Sequence, residues 1–177
     1  MSIHISIIAE NRCYANNKVI ECQRYFPSFF FTMMVVSDIK FQFMETLDEI
    51  KRTILEQSKI IAMVGLSPKP DRPSNMVAQY LIAAGYNVIP VNPLRNEILG
   101  RKCYKKLSDI PDHVDIVDVF MRSEKVLPII GEAIKIRPKC IWLQLGIKNE
   151  EAKRLSEGHG ITFFMDVCIK QEHARLM

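Results

Sequence analysis

From residue 59 onward the chain repeats a short, continuous apolar run followed by a longer segment of mixed polarity. Runs near 60–65, 86–91, 114–121, 139–145 and 161–166 are rich in Ile, Val, Leu or Phe and carry little polar alternation. Strands covered by helices on both faces have this pattern, whereas a half-exposed strand alternates. Between the first two runs, Pro73 suits the first turn of a helix, Val77, Tyr80, Leu81 and Ala84 share a face, and Gly85 closes it. Helical spacing returns after Ser123, with Leu127, Ile130, Ala133 and Ile134, and after Asn149, with Ala152 and Leu155. The link from Pro93 to Pro111, which holds Gly100 and Asp109-Ile110-Pro111, is irregular and predicts only a short helix. Together these elements predict a doubly wound α/β fold: a mainly parallel five-stranded sheet, right-handed crossovers, and a ligand crevice at the carboxyl ends of the strands.

The pattern changes before Met44. Residues 1–43 hold eight of the fifteen aromatics, including Phe29-Phe30-Phe31, while every glycine lies at Gly65 or beyond. Strand-like alternation is weak there. The apolar run from Phe26 to Val36 is too short to span a bilayer, is interrupted by Pro27 and Ser28, and follows Glu10 and Glu21 rather than a basic segment. It reads neither as a signal peptide nor as a transmembrane helix. Met44 opens an amphipathic stretch in which Leu47, Ile50, Ile54 and Leu55 recur at helical spacing. The folded domain is therefore expected over 44–177. An extension outside the fold and an upstream start codon not used in the cell explain residues 1–43 equally well.

Composition narrows the class further. A chain of 177 residues with 25% charged side chains can bury one sizeable core. The net charge of +4 is spread out, densest at Lys102 and Lys105-Lys106, which is a poor footprint for nucleic acid. Cys13, Cys22, Cys103, Cys140 and Cys168 form no CxxC pair and are odd in number, so reduced thiols in a cytoplasm are expected rather than a disulfide framework or a metal site.

The candidate chemistry sits where the first strand runs out. Gly65-Leu66-Ser67-Pro68-Lys69-Pro70-Asp71-Arg72 leads into the helix at Pro73, the arrangement by which α/β proteins hold a phosphate group. Ser67 and Pro70 stand where a dinucleotide fingerprint would have its second and third glycines, and prolines at 68, 70 and 73 remove N–H donors. Side chains must then contribute: the Ser67 hydroxyl, and Lys69 and Arg72 by charge-assisted bonds. The second strand ends Val91-Asn92-Pro93, with Arg95 beyond, and lacks the acidic residue that takes the ribose hydroxyls of NAD. An amide followed by a cation suits a phosphorylated ribose, either the 3′-phosphate of coenzyme A or the 2′-phosphate of NADP.

Several ordered blocks resemble one family. AMVGLSPKPDRPSN, GYNVIPVNP with LGRKCY after it, VDIVDVFMRSE, WLQLGIKNEEA and MDVCIKQEHARL are similar to the small CoA-binding domain proteins, relatives of the nucleotide-binding lobe of the succinyl-CoA synthetase α subunit. The likeness spans roughly Met44 to Leu176. It implies a Rossmann-like domain that binds coenzyme A through its ADP portion, with no established catalytic activity. Carried over, Gly65, Ser67, Lys69 and Arg72 would hold the pyrophosphate and ribose phosphate, and Asn92 and Pro93 would border the adenosine. Phe120, Met121 and Arg122 would flank the adenine or pantetheine side, and Gln144, Leu145 and Gly146 would close the opposite wall. Two positions depart from the family: Val167 stands where an Arg is common, and Met121 where Arg often follows the phenylalanine.

Plainer readings accompany these. Lys69 and Arg72 also fit solvated loop charges, and Trp142 and Phe120 fit core packing better than base stacking. Asp166, Cys168 and His173 invite a catalytic reading, but a structural thiol is the commoner outcome, and no Ser-His-Asp, paired-carboxylate or P-loop set can be assembled. The expected function is a CoA- or acyl-CoA-binding module of the cytoplasm. The alternatives are an NADP-dependent oxidoreductase and a detached acyl-CoA synthetase lobe that acts with a partner subunit.

Overall fold

The computed structural model describes residues 12–15, 18–21 and 46–177. Two units are distinguished, Met1–Thr46 and Leu47–Met177. In the first, strands β1 (Arg12–Ala15) and β2 (Lys18–Glu21) pair antiparallel, with Cys13 opposite Ile20, where the sequence suggested little strand pattern. The apolar run from Phe26 to Val36, Cys22 and the boundary at Met44 lie outside the described residues.

Helix α1 (46–56), which lies in the second unit from Leu47 on, precedes β3 (Ile60–Val64), α2 (Pro73–Ala83) and β4 (Asn87–Val91). Next come two-residue strands β5 (Glu97–Ile98) and β6 (Arg101–Lys102), then β7 (Ile116–Val119), α3 (Val126–Ile136), β8 (Cys140–Leu143), α4 (Glu150–Gly158), β9 (Thr162–Phe164) and α5 (Ile169–Leu176). All five expected strands are present with trimmed ends, and their sheet is wholly parallel in the order β4-β3-β7-β8-β9.

Alternate residues of each strand feed two cores. Ile61, Met63, Ile116 and Trp142 face α1, α2 and α5 through Leu55, Leu81 and Ile169. Ala62, Val64, Val117 and Leu143 face α3 and α4 through Ile130, Ala133 and Ala152. Burial on both sides is why the strands read as unbroken apolar runs. Asn149 caps α4 by accepting a hydrogen bond from the Ala152 amide at 2.9 Å. Helix α5 is latched to α1 by the Arg175–Asp48 and Lys51–Glu172 ion pairs. Trp142 is fully buried, packs at a tilt against the Phe164 ring with centroids 4.7 Å apart and donates to the Val167 carbonyl at 2.8 Å, so it is a core residue.

The irregular link holds more than the expected short helix. The antiparallel hairpin β5-β6 turns through Leu99 (φ 55°) and Gly100 (φ 69°) and is followed by a single 3₁₀ turn at Leu107–Asp109. Two successive positive φ angles make the tight hairpin turn that usually signals itself as Asn-Gly, and Leu in the first place hid it.

At the amino ends of the strands, the Asp115 carboxylate accepts from the Lys59 and Ile60 amides at 2.8 and 3.0 Å and pairs with Lys139 at 2.8 Å. Burial raises its affinity for a proton, but Lys139 and the two amides outweigh that, and the carboxyl lies below its ordinary range. Its contribution is therefore complete above the unfolded-state value and lost as pH falls through the folded one. Asp115→Ala would strand two amides at the head of β3 and is expected to cost about 2–4 kcal/mol in denaturant unfolding at neutral pH. A cost indistinguishable from zero would contradict this anchoring role.

Candidate functional site

The strand order changes direction between β3 and β7: the chain leaves β3 toward β4 on one side and returns to β7 on the other. The crevice beyond the carboxyl ends at such a switch point is where open α/β sheets place their ligands. A cleft of about 660 Å³ opens there, bordered by the turn after β3 (Gly65, Ser67, Arg72), the end of β7 (Phe120, Met121, Arg122) and the end of β8 (Gln144, Leu145, Gly146). A second cleft of about 320 Å³ adjoins it, shares Gly65 and Met121, and is lined by Asn92, Pro93, Lys106 and Glu132. Eleven of the twelve residues assigned to the site from the sequence thus border one cleft or the other. Lys69 borders neither and stands exposed on the turn.

Local hydrogen bonds explain the shape of the turn. The Ser67 amide donates to Ser74 Oγ at 3.1 Å, and Asn75 Nδ2 donates to the Ser67 carbonyl at 2.8 Å. Ser74 and Asn75 are buried in the first turn of α2, and Asn92 Nδ2 ties the Leu66 carbonyl to the end of β4 at 3.0 Å. Asn92 Oδ1 meanwhile accepts from the Leu94 amide at 2.9 Å. The amide of Asn92 is thus a bracket between two loops as well as a cleft wall. Ser67 Oγ accepts from the Lys69 amide at 3.2 Å, which leaves the hydroxyl proton free to donate outward. Helix α2 begins beside the cleft with Pro73 in its first turn and has no acidic residue within that turn, so its positive end is not offset from inside the helix.

The opposite wall is braced from below. Asp166, at φ 59°, accepts from the Gly146 amide at 2.8 Å and pairs with Lys148 at 2.7 Å, which together hold its carboxyl below the usual range. Cys168 also lines the main cleft, as do Val77 and Ile147. His173 is occupied elsewhere, bonded through Nδ1 to the Tyr80 hydroxyl at 2.9 Å and edge-on to Tyr86. Asp166 and His173 therefore serve separate partners, and Cys168 packs against the core on the side of α1, α2 and α5. Ser74 and Asn75 are the residues that sequence reasoning passed over. They form the Ser-Asn pair just after Pro73, a pairing that marks a helix start but says nothing of the backbone it will hold.

No group of three or more His, Cys, Asp or Glu side chains among the described residues could hold a metal ion, and none of the described helices is long and apolar enough to cross a membrane.

The fold is a Rossmann-like α/β domain with an open cleft across the carboxyl ends of β3, β7 and β8. The chain belongs to the CoA binding domain family, which it matches over residues 59–174. It is 46% identical over 126 residues to the protein YneT of Bacillus subtilis, covering 71% of this chain and 93% of that one. A solved structure from Pyrococcus horikoshii superposes with a TM-score of 0.71 at 43% identity, covering 73% of this chain and 91% of the other. The acetate–CoA ligase (ADP-forming) I subunit alpha of Pyrococcus furiosus is 31% identical over 109 residues, which is 56% of this chain and 23% of that subunit. The relationship to the CoA-binding lobe of synthetases of this type, implied by the sequence blocks, is thereby borne out.

Proposed function

We propose that the protein is a coenzyme A-binding module that holds the ADP portion of its ligand at the carboxyl ends of the sheet. The observation that carries this reading is the convergence of the Gly65–Arg72 turn, the Phe120–Arg122 segment and the Gln144–Gly146 segment on one cleft at the switch point. In this reading the Ser67 hydroxyl, the Arg72 guanidinium and the start of α2 meet the phosphates, with Lys69 adding charge from the rim. Asn92 and Pro93 border the adenosine in the adjoining cleft. In this reading the binding domain is residues 44–177, and residues 1–43 are either an extension outside it or the product of an upstream start codon not used in the cell. The free thiols of Cys103, Cys140 and Cys168 suit a reducing cytoplasm. The residues around the cleft present no nucleophile–base pair, and we read the protein as a binder rather than an enzyme.

Thermal unfolding of the full chain with CoA, dephospho-CoA, NAD and NADP tests this. A shift with CoA that shrinks with dephospho-CoA is expected. Removing both cations in Lys69→Ala/Arg72→Ala should weaken CoA binding by about tenfold or more with the unliganded midpoint unchanged, because charge-assisted hydrogen bonds contribute roughly 1.5–3 kcal/mol each. Unaltered affinity in that variant would sink the phosphate assignment, and a shift with NADP alone would replace CoA with the reductase reading.

The likeness to a ligase α subunit favours a second reading, in which the module docks on a partner subunit. Tagged protein that co-purifies with a synthetase-like chain would support it, and recovery of the tagged chain alone at native expression levels would count against it.

A further inference from the structure

Asp118 lies on the central strand β7, fully buried, in register with Met63 of β3 and Trp142 of β8. Its Oδ1 accepts from Gln144 Nε2 at 2.7 Å, and its Oδ2 is the single buried side-chain oxygen or nitrogen among the described residues with no partner. Such an orphan is costly and rarely retained without a role. Phe120, just past the end of that strand, lines the main cleft, and so does Gln144. Asp118 therefore sits one step behind the ligand-facing wall and touches it through Gln144.

The Gln144 side chain has two ends. Its Nε2 is given to Asp118, which leaves Oε1 as the other end of a side chain that borders the cleft. A carboxylate can only accept hydrogen bonds, so it holds the NH₂ inward and leaves a carbonyl oxygen, an acceptor, facing outward. A carboxylic acid can donate. Donating to Oε1 turns the amide round and presents the NH₂, a donor, to the cleft.

We propose that Asp118 and Gln144 form a proton-operated relay beneath the cleft, in which gain or loss of one proton on Asp118 reverses the Gln144 amide and exchanges donor for acceptor on the wall. The proton is taken from and returned to solvent. The consequence for a ligand rests on the cleft being the CoA site; the relay itself does not. Burial pushes the Asp118 carboxyl up to about 7, with the Gln144 hydrogen bond and the Val119 amide pulling the other way, so the exchange falls within the neutral range.

The neighbouring titratable groups do not account for a transition there. On β8, the Cys140 thiol is kept neutral by burial. On the helices over this face, burial draws His173 below its ordinary range, Lys170 lies over the Tyr80 ring, and Lys51 is paired with Glu172. Tyr86, ahead of β4, is pushed upward by burial. Arg72, Arg122 and Cys168 line the same cleft as Gln144.

The test is nuclear magnetic resonance of the side-chain NH₂ of Gln144 in the unliganded full chain, followed between about pH 5.5 and 8.5, a window wide enough for one carboxyl transition. Signals assigned by their loss in Gln144→Leu should titrate with a midpoint near 7 in the wild type and become flat in Asp118→Asn, whose side-chain amide does not titrate. Signals that ignore pH in the wild type, or that titrate equally in Asp118→Asn, overturn the relay. CoA affinity measured over the same window should change several-fold in the wild type and stay level in Asp118→Asn. An Asp118-dependent titration beside a pH-independent affinity supports the relay and instead counts against CoA meeting Gln144.

Discussion

Gly65→Ala is expected to lower the midpoint of thermal unfolding by about 10 °C and to abolish ligand binding in the same step. Gly65 has φ 82°, and a Cβ built there would lie 2.6 Å from the Phe120 carbonyl oxygen and 3.3 Å from Met121 Cγ. The first contact is with backbone at the end of the central strand, which cannot swing aside as a side chain can. Positive φ alone costs an alanine about 1–2 kcal/mol, and forced overpacking adds roughly 1–3 kcal/mol. At about 3 °C per kcal/mol for a domain of this size, the sum gives the stated shift. Gly85 provides the control, because it has φ 97° but nothing within 4 Å of its added Cβ. Gly85→Ala carries the strain without the clash, and its midpoint should fall only about 3–6 °C with binding retained. Gly65 borders both clefts, so relieving the clash must part the β3 turn from the β7 turn and deform the floor of each. Equal losses in the two variants would show that backbone conformation, rather than close approach, explains the glycine.

What could be read in advance follows from how far each interaction reaches along the chain. Ile61 to Val64 and Val88 to Val91 announce themselves because a strand buried on both faces needs apolar side chains in succession, and that is a local property. Pro73 and Gly85 bound α2 for equally local reasons. The Gly65–Arg72 turn was legible as a turn because its glycine, serine and prolines suit a tight backbone between a strand and a helix. Asp118 was not, although VDIVDVF lay in full view. An acid inside an apolar run gives no sign of whether its partner is a cation, an amide or nothing, and Gln144 lies 26 residues away. The bracing of the turn by Ser74, Asn75 and Asn92 was hidden similarly, since it depends on which carbonyls the folded loops bring within reach. Lys69 fails in the opposite direction: its charge suits phosphate, but the turn carries it outside the lining of both clefts.

Asp118→Asn should make the protein more stable, and the gain should grow with pH. The wild-type carboxyl is pushed from an ordinary 3.8 up to about 7 in the folded state, because burial opposes its charge. Between those values the native state keeps a proton that the unfolded chain releases, so stability falls as pH rises through that interval and levels off above it. Each unit of difference is about 1.4 kcal/mol, which puts the accumulated loss above pH 7 at up to about 4 kcal/mol. Relaxation and water penetration around a buried charge reduce it, and a gain of about 2–4 kcal/mol for the variant at pH 8 is the expected result. Near pH 4 both side chains are neutral and of similar shape, so the two proteins should unfold at nearly the same denaturant concentration. Denaturant curves at the two pH values separate this from a general packing effect, which would appear equally at both. A variant that is no more stable at pH 8 would mean that the orphaned oxygen finds a partner when ionised, and the charge would then no longer be the cause of its cost.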